Sequence, residues 1–466
     1  MLLILRRLGG KRLHAPITCS IPISRRTSTI ATPRFIPSRL DLIEDIEDYQ
    51  HGGYHPISLG DTFDHERFKI LHKLGYGESS TVWLARDQRK GQDRGRLVTL
   101  KAMRADISSS KTPSEIPELA ISQKLRASLP RRAASDFQTV EHHFFVQGPN
   151  GSHLCLIFPL AGPNILALSD SPGRPAGSRR LRADLARKVA KQTAEALHHM
   201  HSAGIVHGDL TTSNILLRLW PRVIEWSDAE VYAYLGDPET EDVRTRGGQP
   251  SGPHAPLMLV APIDNSRISN AKLLQDNIMI SDFGQSYEIA SPPLSYKPAT
   301  LLNYQSPEAR FEGRIGLETD IWALGCAIFG IRAGFALFEP FLGSDIDILR
   351  QTVETLGRLS DPWWGAFEQR TLWFDEDGQP KSEQDQERAG VLLKACKSSI
   401  RDKLRTIGEE DVPSTGDEGP MIEKPGVRLP EEEIELLGDL LEKMLKYRPE
   451  ERISIQDVIR HPWFTS

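Results

Sequence analysis

The sequence predicts an α+β fold with two lobes, a small β-rich lobe over residues 67–162 and a larger helical lobe over residues 163–466. Two observations carry this prediction. Strand-forming runs separated by turn residues fill positions 68–101, and apolar residues recur at helical spacing over positions 181–201. The first lobe is therefore expected to contain an antiparallel meander, and the second to be built on long amphipathic helices.

The individual elements follow from local residue patterns. Strands are predicted at residues 68–71, 81–85, 97–101 and 153–158, the last one ending at Pro159. A helix is predicted at 117–127, because Pro117 would occupy its first turn, where proline is tolerated. The long helix at 181–201 opens the larger lobe, and a last helix is predicted at 431–445.

Two segments lack a clear period. The first covers about residues 220–272 and is rich in Gly, Pro and Asp, and the second covers about residues 375–430 and contains the acidic run Glu409, Glu410 and Asp411. Both are predicted to be insertions within the larger lobe rather than separate domains.

The composition is that of a globular protein, with 39% hydrophobic and 26% charged residues. Apolar runs stay shorter than the ~18 residues that a membrane helix needs, so no membrane span is expected. The four cysteines, Cys19, Cys155, Cys326 and Cys396, are scattered without metal-ligand spacing. This scatter favours a reducing compartment over a disulfide framework.

Charge is distributed unevenly along the chain. Residues 1–40 contain eight Arg and Lys side chains and no Asp or Glu, which is typical of a mitochondrial presequence, although a disordered basic tail fits equally well. Subtracting these eight charges from the net −6 leaves −14 for residues 41–466. The acidic body disfavours direct nucleic-acid binding and favours a basic partner. Residues 41–66 form a lead-in to the small lobe.

A glycine loop lies between the first two predicted strands. It consists of Leu74, Gly75, Tyr76, Gly77, Glu78, Ser79, Ser80, Thr81 and Val82. Gly75 and Gly77 would allow the backbone to approach a phosphate, whose negative charge the N–H groups would face. Two glycines at this spacing also occur in ordinary hairpins, and the third glycine of the usual phosphate-binding pattern is Ser80 here.

A lysine ends an otherwise apolar strand after this loop. Lys101 is placed to hold the phosphates, provided that a carboxylate orients it. Glu118, in the following predicted helix, is the first candidate for that carboxylate, and Glu115 is the alternative. Either glutamate could instead be a solvated helix charge.

Two further motifs follow in order. Residues 207–214 fit the pattern His-x-Asp-x-x-x-x-Asn, in which Asp209 can accept the proton of a substrate hydroxyl and Asn214 can bind Mg²⁺. The second motif is Asp282-Phe283-Gly284 after an apolar strand, and it supplies a second metal ligand in Asp282. Because Mg²⁺ prefers oxygen ligands and keeps several waters, these two side chains with phosphate oxygens would suffice.

Together, these four elements resemble those of the protein kinase family. Ser306-Pro307-Glu308 and residues 320–325 are similar to its large-lobe segments, and Arg452 matches the position that pairs with Glu308. The resemblance implies ATP and Mg²⁺ as cofactors, a protein substrate, and backbone contacts from Phe158 and Leu160 to the adenine. Lys101, Glu118, Asp209 and Asn214 would then be the catalytic residues.

The lead-in narrows the resemblance. Residues 48–61 and 80–84, with the long insertion after Asn214, look like the SR-protein kinases, especially their fungal relatives, and the resemblance covers about residues 48–466. It implies a serine/threonine kinase that acts as a monomer on a basic, Ser-containing protein without direct nucleic-acid or membrane binding. By this resemblance the enzyme would reside in cytoplasm and nucleus, whereas the basic N-terminus indicates the mitochondrion.

Several positions depart from the family pattern. Thr211 replaces a lysine that touches the γ-phosphate, a contact whose loss could cost roughly 10²-fold in rate. Gly208 replaces the arginine that grips a phosphorylated activation loop in many kinases, and Gln305 stands where the SR-protein kinases usually have arginine.

Two alternatives therefore stay open. A pseudokinase scaffold would follow if the Thr211 substitution abolished turnover, and an assay of phosphotransfer alongside nucleotide binding would distinguish it. A small-molecule phosphotransferase is the other, because His207-Gly208-Asp209-Leu210 also resembles the loop of aminoglycoside and choline kinases. The segment Ser306-Pro307-Glu308 argues against that second alternative.

Overall fold

The structure is a computed structural model. It describes residues 32–89, 95–108, 112–169, 177–293, 296, 298–339, 344–409, 411–413 and 419–465. Contacts divide the chain into two compact units. The sheet unit comprises residues 31–174 and 195–294, and the helical unit includes residues 175–194 and 295–466. The predicted α+β class is confirmed, while the division into lobes at residues 67–162 and 163–466 stays a prediction.

The sheet unit is built on an antiparallel sheet. In the described residues its strand order is β1-β2-β3-β4-β6-β5. The strands are β1 (Thr62–Phe63), β2 (Phe68–Gly77), β3 (Ser80–Asp87), β4 (Arg96–Met103), β5 (His142–Gly148) and β6 (Gly151–Pro159). Their helices are α1 (Ala105–Ser108), α2 (Pro117–Ser128), α3 (Arg131–Ala134) and α4 (Ile165–Ser169). Alternating large side chains, among them Phe68, Trp83 and Ile157, form the buried core on one face of the sheet.

The long predicted helix is α5 (Ala183–Ser202), and its last turns belong to the sheet unit. The rest of that unit is made of short elements. They are β7 (Ile205–Val206), β8 (Ile215–Leu219), α6 (Pro221–Ile224), α7 (Asp228–Leu235), β9 (Thr240–Asp242), β10 (Met258–Val260), α8 (Asn265–Ile268), β11 (Leu274–Ile280) and β12 (Tyr287–Glu288). Within the described residues, these strands form three antiparallel pairs: β7 with β12, β8 with β11, and β9 with β10.

The segment over about residues 220–272 therefore has secondary structure despite its weak pattern. Its helix α7 begins at a capping box, in which Ser227 Oγ accepts from the Glu230 N–H at 3.3 Å and Glu230 Oε2 accepts from the Ser227 N–H at 2.8 Å. Tertiary contacts with the sheet supply the stability that a helix this short lacks by itself.

The helical unit is dominated by a buried helix. Its helices are α9 (Pro307–Glu312), α10 (Leu317–Ala333), α11 (Asp345–Leu356), α12 (Trp363–Ala366), α13 (Glu383–Arg388), α14 (Ile400–Arg405), α15 (Glu431–Met444) and α16 (Ile455–Ile459). From Asp320 to its end, α10 is buried. The predicted pair is confirmed, because the Arg452 guanidinium donates to both oxygens of Glu308 at 2.6 and 2.7 Å, with both side chains almost fully buried. None of the helices in the described residues combines the length and apolar character of a membrane span.

The described residues at the end of the predicted basic segment, residues 32–40, are folded against the rest of the sheet unit. Residues 1–31 lie outside the described residues, but Phe35 is 4% exposed and packs with Ile46 and Tyr49 of the lead-in. Arg34 donates to the Glu47 carboxylate at 2.9 Å. The described end of this segment is thus part of the folded sheet unit.

Candidate active site

The glycine loop forms the tip of the hairpin between β2 and β3. Gly75 lies opposite Val82, Tyr76 opposite Thr81 and Gly77 opposite Ser80. Ser80 and Thr81 are buried, whereas Tyr76 is exposed. The Arg104 N–H donates to the Ser79 carbonyl at 2.9 Å, which ties the turn of the loop to the end of β4.

Lys101 faces Glu118 inside the sheet unit. Its Nζ lies 2.8 and 2.6 Å from the two Glu118 oxygens, and Glu118 is 4% exposed in the first turn of α2. The alternative partner is wrong: Glu115 is exposed, and it accepts from the Thr112 N–H at 2.7 Å as a cap of the preceding turn. A carboxylate in the first turn is also favoured by the helix dipole.

Asp282 brings a second carboxylate to the same ammonium. Its Oδ1 lies 3.6 Å from Lys101 Nζ, and the Gly284 N–H donates to that oxygen at 3.4 Å. Asp282 has a φ of +62°, a left-handed conformation that non-glycine residues rarely adopt. Such backbone strain is often retained at functional sites.

The three charges shift one another's pKa values. Burial opposes the charged form of Lys101, but the carboxylates of Asp282 and Glu118 outweigh it and raise the lysine's pKa. The Lys101 charge lowers the pKa of Asp282 against the effect of burial. Burial raises the pKa of Glu118, and Lys101 partly offsets that rise. The cluster therefore holds a protonated lysine between an ionised Asp282 and a buried glutamate.

The loop that carries Asp209 is fixed by its own side chains. Asn214 Nδ2 donates to the Asp209 carbonyl at 2.7 Å and to its carboxylate at 3.2 Å. The Asp209 N–H donates to His207 Nδ1 at 3.2 Å, so His207 Nε2 is left to donate to the Ser281 carbonyl at 3.2 Å. Gly208 has a φ of +78°, which explains why a glycine fits between these residues without strain.

Pairing of β8 with β11 places Asn214, just before β8, and Asp282, two residues after β11, at the same end of the two strands. Ile215 lies opposite Ile280, and the Ser281 N–H donates to the Asn214 carbonyl at 2.9 Å. The Asn214 amide nitrogen makes both hydrogen bonds to Asp209, so its amide oxygen is the atom that could bind a cation. With the half-exposed carboxylate of Asp282, it offers the oxygen donors that Mg²⁺ prefers.

The buried Phe283 side chain packs against His207 and Phe137. Its ring is fully buried and lies 5.7 Å from the His207 ring and 6.2 Å from that of Phe137. Helix α2, in turn, is linked to β12 by an ion pair between Lys124 and Glu288 at 2.9 Å. The helix that carries Glu118 is thus also linked to the strand that follows the Asp282 motif.

The predicted adenine contacts lie at the end of β6. Phe158 is paired with Thr99, and Leu160 packs with Leu74 of the glycine loop around an apolar space of only about 10 Å³. Trp226 and other residues of the segment after β8, which covers about residues 220–272, line the same space. Leu74 and the residue that follows β6 are thus close together, but the space between them is far smaller than the ~300 Å³ of a small-molecule site. The adenine contacts of Phe158 and Leu160 stay a prediction.

Sequence reasoning missed three features of this site. It did not place Asp282 beside Lys101, and it assigned no role to His207. It also did not foresee that the β2–β3 hairpin is contacted by Tyr54 of the lead-in and by Tyr232 of the segment after β8. The signal for His207 was present, since it lies in the same motif as Asp209. The long-range contacts had no local signal.

Comparisons with known proteins agree with this geometry. The family model described as "Protein kinase domain" matches residues 68–231 and 268–464. The chain is 27% identical over 439 residues to "Serine/threonine-protein kinase SRPK" of Physarum polycephalum, which covers 90% of this chain and 91% of the relative. "Protein kinase dsk1" of Schizosaccharomyces pombe is 27% identical over 390 residues, 67% of this chain and 70% of that protein. Human "SRSF protein kinase 3" is 31% identical over 201 residues, 40% of this chain and 33% of the relative.

The ion pair between Lys101 and Glu118 makes a stability prediction. Glu118→Gln keeps the size of the side chain but removes its charge, so the buried ammonium loses its nearest partner. We expect the free energy of unfolding to fall by about 3 kcal/mol in chemical denaturation. When Lys101→Met is combined with it, the loss should be smaller than the sum of the two single losses by about 1 kcal/mol or more.

The exposed Glu115→Gln variant is the matched control, and its effect should stay within about 0.5 kcal/mol, because glutamine can replace glutamate in a capping box. Equal stabilities of the Glu118 and Glu115 variants would contradict the assignment.

Proposed function

Because this chain belongs to the protein kinase family, we propose that it transfers the γ-phosphate of ATP to a serine or threonine hydroxyl of a protein through Lys101, Glu118, Asp209, Asn214 and Asp282. The family predicted from the motifs is confirmed, and the chain is a serine/threonine protein kinase like the relatives it matches. The observation that carries the proposal for the site is the contact of Lys101 with both Glu118 and Asp282.

The glycine loop and Lys101 would hold the phosphates. Gly75 and Gly77 present backbone N–H groups without side chains between them and the ligand, and the ammonium of Lys101 adds a fixed positive charge. Glu118 orients that ammonium rather than contacting the nucleotide. Leu74 would offer the adenine apolar surface, and Phe158 and Leu160 would offer it backbone groups, as the resemblance to the family implies. Catalysis then depends on positioning and charge neutralisation.

Asp209 would act on the substrate hydroxyl. Its carboxylate accepts from Asn214 Nδ2 at 3.2 Å, a contact that helps to fix its direction, and a carboxylate has lone pairs enough to accept from a hydroxyl as well. The carboxylate can therefore orient the hydroxyl for attack and accept its proton.

Asn214 and Asp282 would hold Mg²⁺ through their oxygens. The bound metal would neutralise the charge that develops on the phosphate oxygens. The chain's own part is to keep Asp282 ionised, which the charge of Lys101 does by lowering its pKa.

Thr211 is the specific observation in favour of a second candidate, a pseudokinase. It is 2% exposed in the loop between Asp209 and Asn214, where the family carries a lysine. Without that charge the γ-phosphate loses one electrostatic contact, but the chain retains the residues proposed for the base, the metal and the lysine clamp. We therefore propose an active kinase whose transfer step is slowed rather than abolished.

The substrate is proposed to be a basic, Ser-containing protein. Residues 41–466 carry a net charge of −14, which attracts basic segments and raises their association rate. One of the relatives is named as a kinase of SRSF proteins, which points to the same substrate class. The family match favours a protein over a small molecule as the acceptor.

The role of Asp209 is tested by Asp209→Asn. This change removes the proton acceptor but keeps a polar side chain, so we expect phosphotransfer to a serine peptide to disappear, whereas ATP affinity stays within a few-fold of wild type. Transfer of ³²P and a fluorescent-nucleotide titration measure the two quantities. Unchanged turnover in the variant would contradict the assignment, and no transfer by wild type with intact ATP binding would favour the pseudokinase.

The substrate class is tested with matched peptides. A peptide with Arg or Lys beside its acceptor serine should show a higher kcat/KM than an acidic peptide of the same length. The preference should shrink as salt rises, because exposed charges are screened beyond ~8 Å at physiological ionic strength. Replacing the serine by tyrosine should lower the rate. Equal rates for the two serine peptides at low salt would refute the electrostatic argument.

A further inference from the structure

The strand that leads into the glycine loop is irregular at two places. The pairing of β2 with β3 shifts register between Ile70 and His72, and again between Lys73 and Gly75. Such irregularities disrupt the ladder of hydrogen bonds and bend the strand. Because buried backbone groups need partners, residues outside the hairpin must supply them.

The partners come from the segment after β8. The Tyr232 hydroxyl, on α7, donates to the Leu71 carbonyl at 3.3 Å. The Ile263 N–H donates to the Lys73 carbonyl at 2.9 Å, and Pro262 bridges to Lys73 as a parallel neighbour. Each irregular position of β2 is therefore contacted by a residue from this segment.

Helix α7 is itself anchored to the sheet by charge. Asp228 accepts from Lys69 Nζ at 2.9 Å and from Arg86 Nε at 2.6 Å, and Arg86 Nη2 donates to the Trp226 carbonyl at 2.6 Å. Arg86 is 6% exposed, so this arginine is desolvated and depends on these acceptors. Tyr232 is thereby held at a fixed place over β2.

The lead-in contacts the same hairpin from residues earlier in the chain. Glu44 forms an ion pair with Lys73, with both side chains 1% exposed, and Glu44 also accepts from the Tyr49 hydroxyl at 2.6 Å. Nearer the tip, the Tyr54 hydroxyl donates to the Gly77 carbonyl at 2.9 Å. Gly77 is one of the two glycines that would approach the phosphates.

Tyr54 is held rigidly enough to fix that carbonyl. The residue is 3% exposed, and the Arg104 guanidinium lies 5.0 Å above its ring. Its own carbonyl accepts at 2.7 Å from Asn150 Nδ2, which also donates to the His254 carbonyl at 2.7 Å and so joins the lead-in to the segment after β8. Burial raises the pKa of Tyr54 to about 12, which keeps its hydroxyl protonated near neutral pH.

We propose that Glu44, Tyr54, Tyr232, Pro262 and Ile263 form a brace that positions the glycine loop for nucleotide binding, with Tyr54 as the residue that sets the Gly77 carbonyl. All five lie outside the two segments matched by the kinase family model. The inference depends on the proposed nucleotide-binding role of the glycine loop.

The brace acts by limiting motion of the hairpin. A loop whose carbonyls are held by Tyr54 and by the Arg104 N–H has fewer conformations to lose when phosphate binds. Removing one such hydrogen bond should loosen the loop without unfolding the sheet, because water can replace the hydroxyl at the tip. The effect should appear in ATP binding rather than in peptide binding.

The test compares three tyrosine-to-phenylalanine variants of the full chain. Tyr54→Phe and Tyr232→Phe each remove one hydroxyl of the brace. Tyr234→Phe is the matched control, because Tyr234 lies two residues from Tyr232 in the same helix but is 56% exposed. Deuterium uptake of peptides covering residues 75–81 is measured by mass spectrometry in the absence of nucleotide, with uptake in α15 as the internal reference for global stability.

We expect uptake at residues 75–81 to become roughly fivefold faster in Tyr54→Phe, which corresponds to the loss of one hydrogen bond, with a smaller effect in Tyr232→Phe. The Kd and the KM for ATP should rise by a similar factor, while the KM for a serine peptide and uptake in α15 stay constant. Tyr234→Phe should behave as wild type.

Unchanged uptake at residues 75–81 in Tyr54→Phe would overturn the proposal, as would faster uptake throughout the chain. The uptake measurement needs no turnover, so it decides on the brace even if the wild-type protein transfers no phosphate. Failure of the proposed kinase activity would be read separately, from transfer by the wild type.

Discussion

The arrangement of the site depends on one buried ammonium that faces two carboxylates. Lys101 would be unstable in its charged form in the interior of the sheet unit without Glu118 and Asp282 beside it. The three residues come from a strand, a helix and a loop that are distant in sequence. Satisfying this one charge therefore fixes the position of α2 relative to β4 and directs the Asp282 carboxylate towards Lys101.

The departures from the family pattern have local explanations in this geometry. Gly208 occupies a left-handed conformation. Because it has no side chain, it cannot make the contact to a phosphorylated activation loop that an arginine makes in many kinases. Helix α2 is instead linked to β12 by Lys124 and Glu288, two residues that carry their charge without modification. The proposed brace likewise consists of contacts that need no covalent modification of the chain.

Motifs and periodic elements could be predicted from the sequence, because their signal is local. The helix predicted at 117–127 is Pro117–Ser128, and the one at 181–201 is Ala183–Ser202. The pairing of Arg452 with Glu308 was also predicted, from the resemblance. By contrast, the fold of residues 220–272 was missed, because its stability comes from contacts such as Asp228 with Arg86, 142 positions apart. Contacts of this kind leave no periodic trace in the sequence. Strand β5 was also missed, although it forms a local hairpin with β6.

The central claim is that Lys101, Glu118, Asp282 and Asn214 form one nucleotide and metal site. The most direct measurement is the affinity for ATP with and without Mg²⁺ in wild type and in Asp282→Ala. We expect Mg²⁺ to tighten ATP binding to the wild type and to have lost this effect in the variant, because Asp282 would supply the metal's carboxylate ligand. If Mg²⁺ tightened binding to the variant as much as to the wild type, the metal would be held elsewhere and the claim would be contradicted.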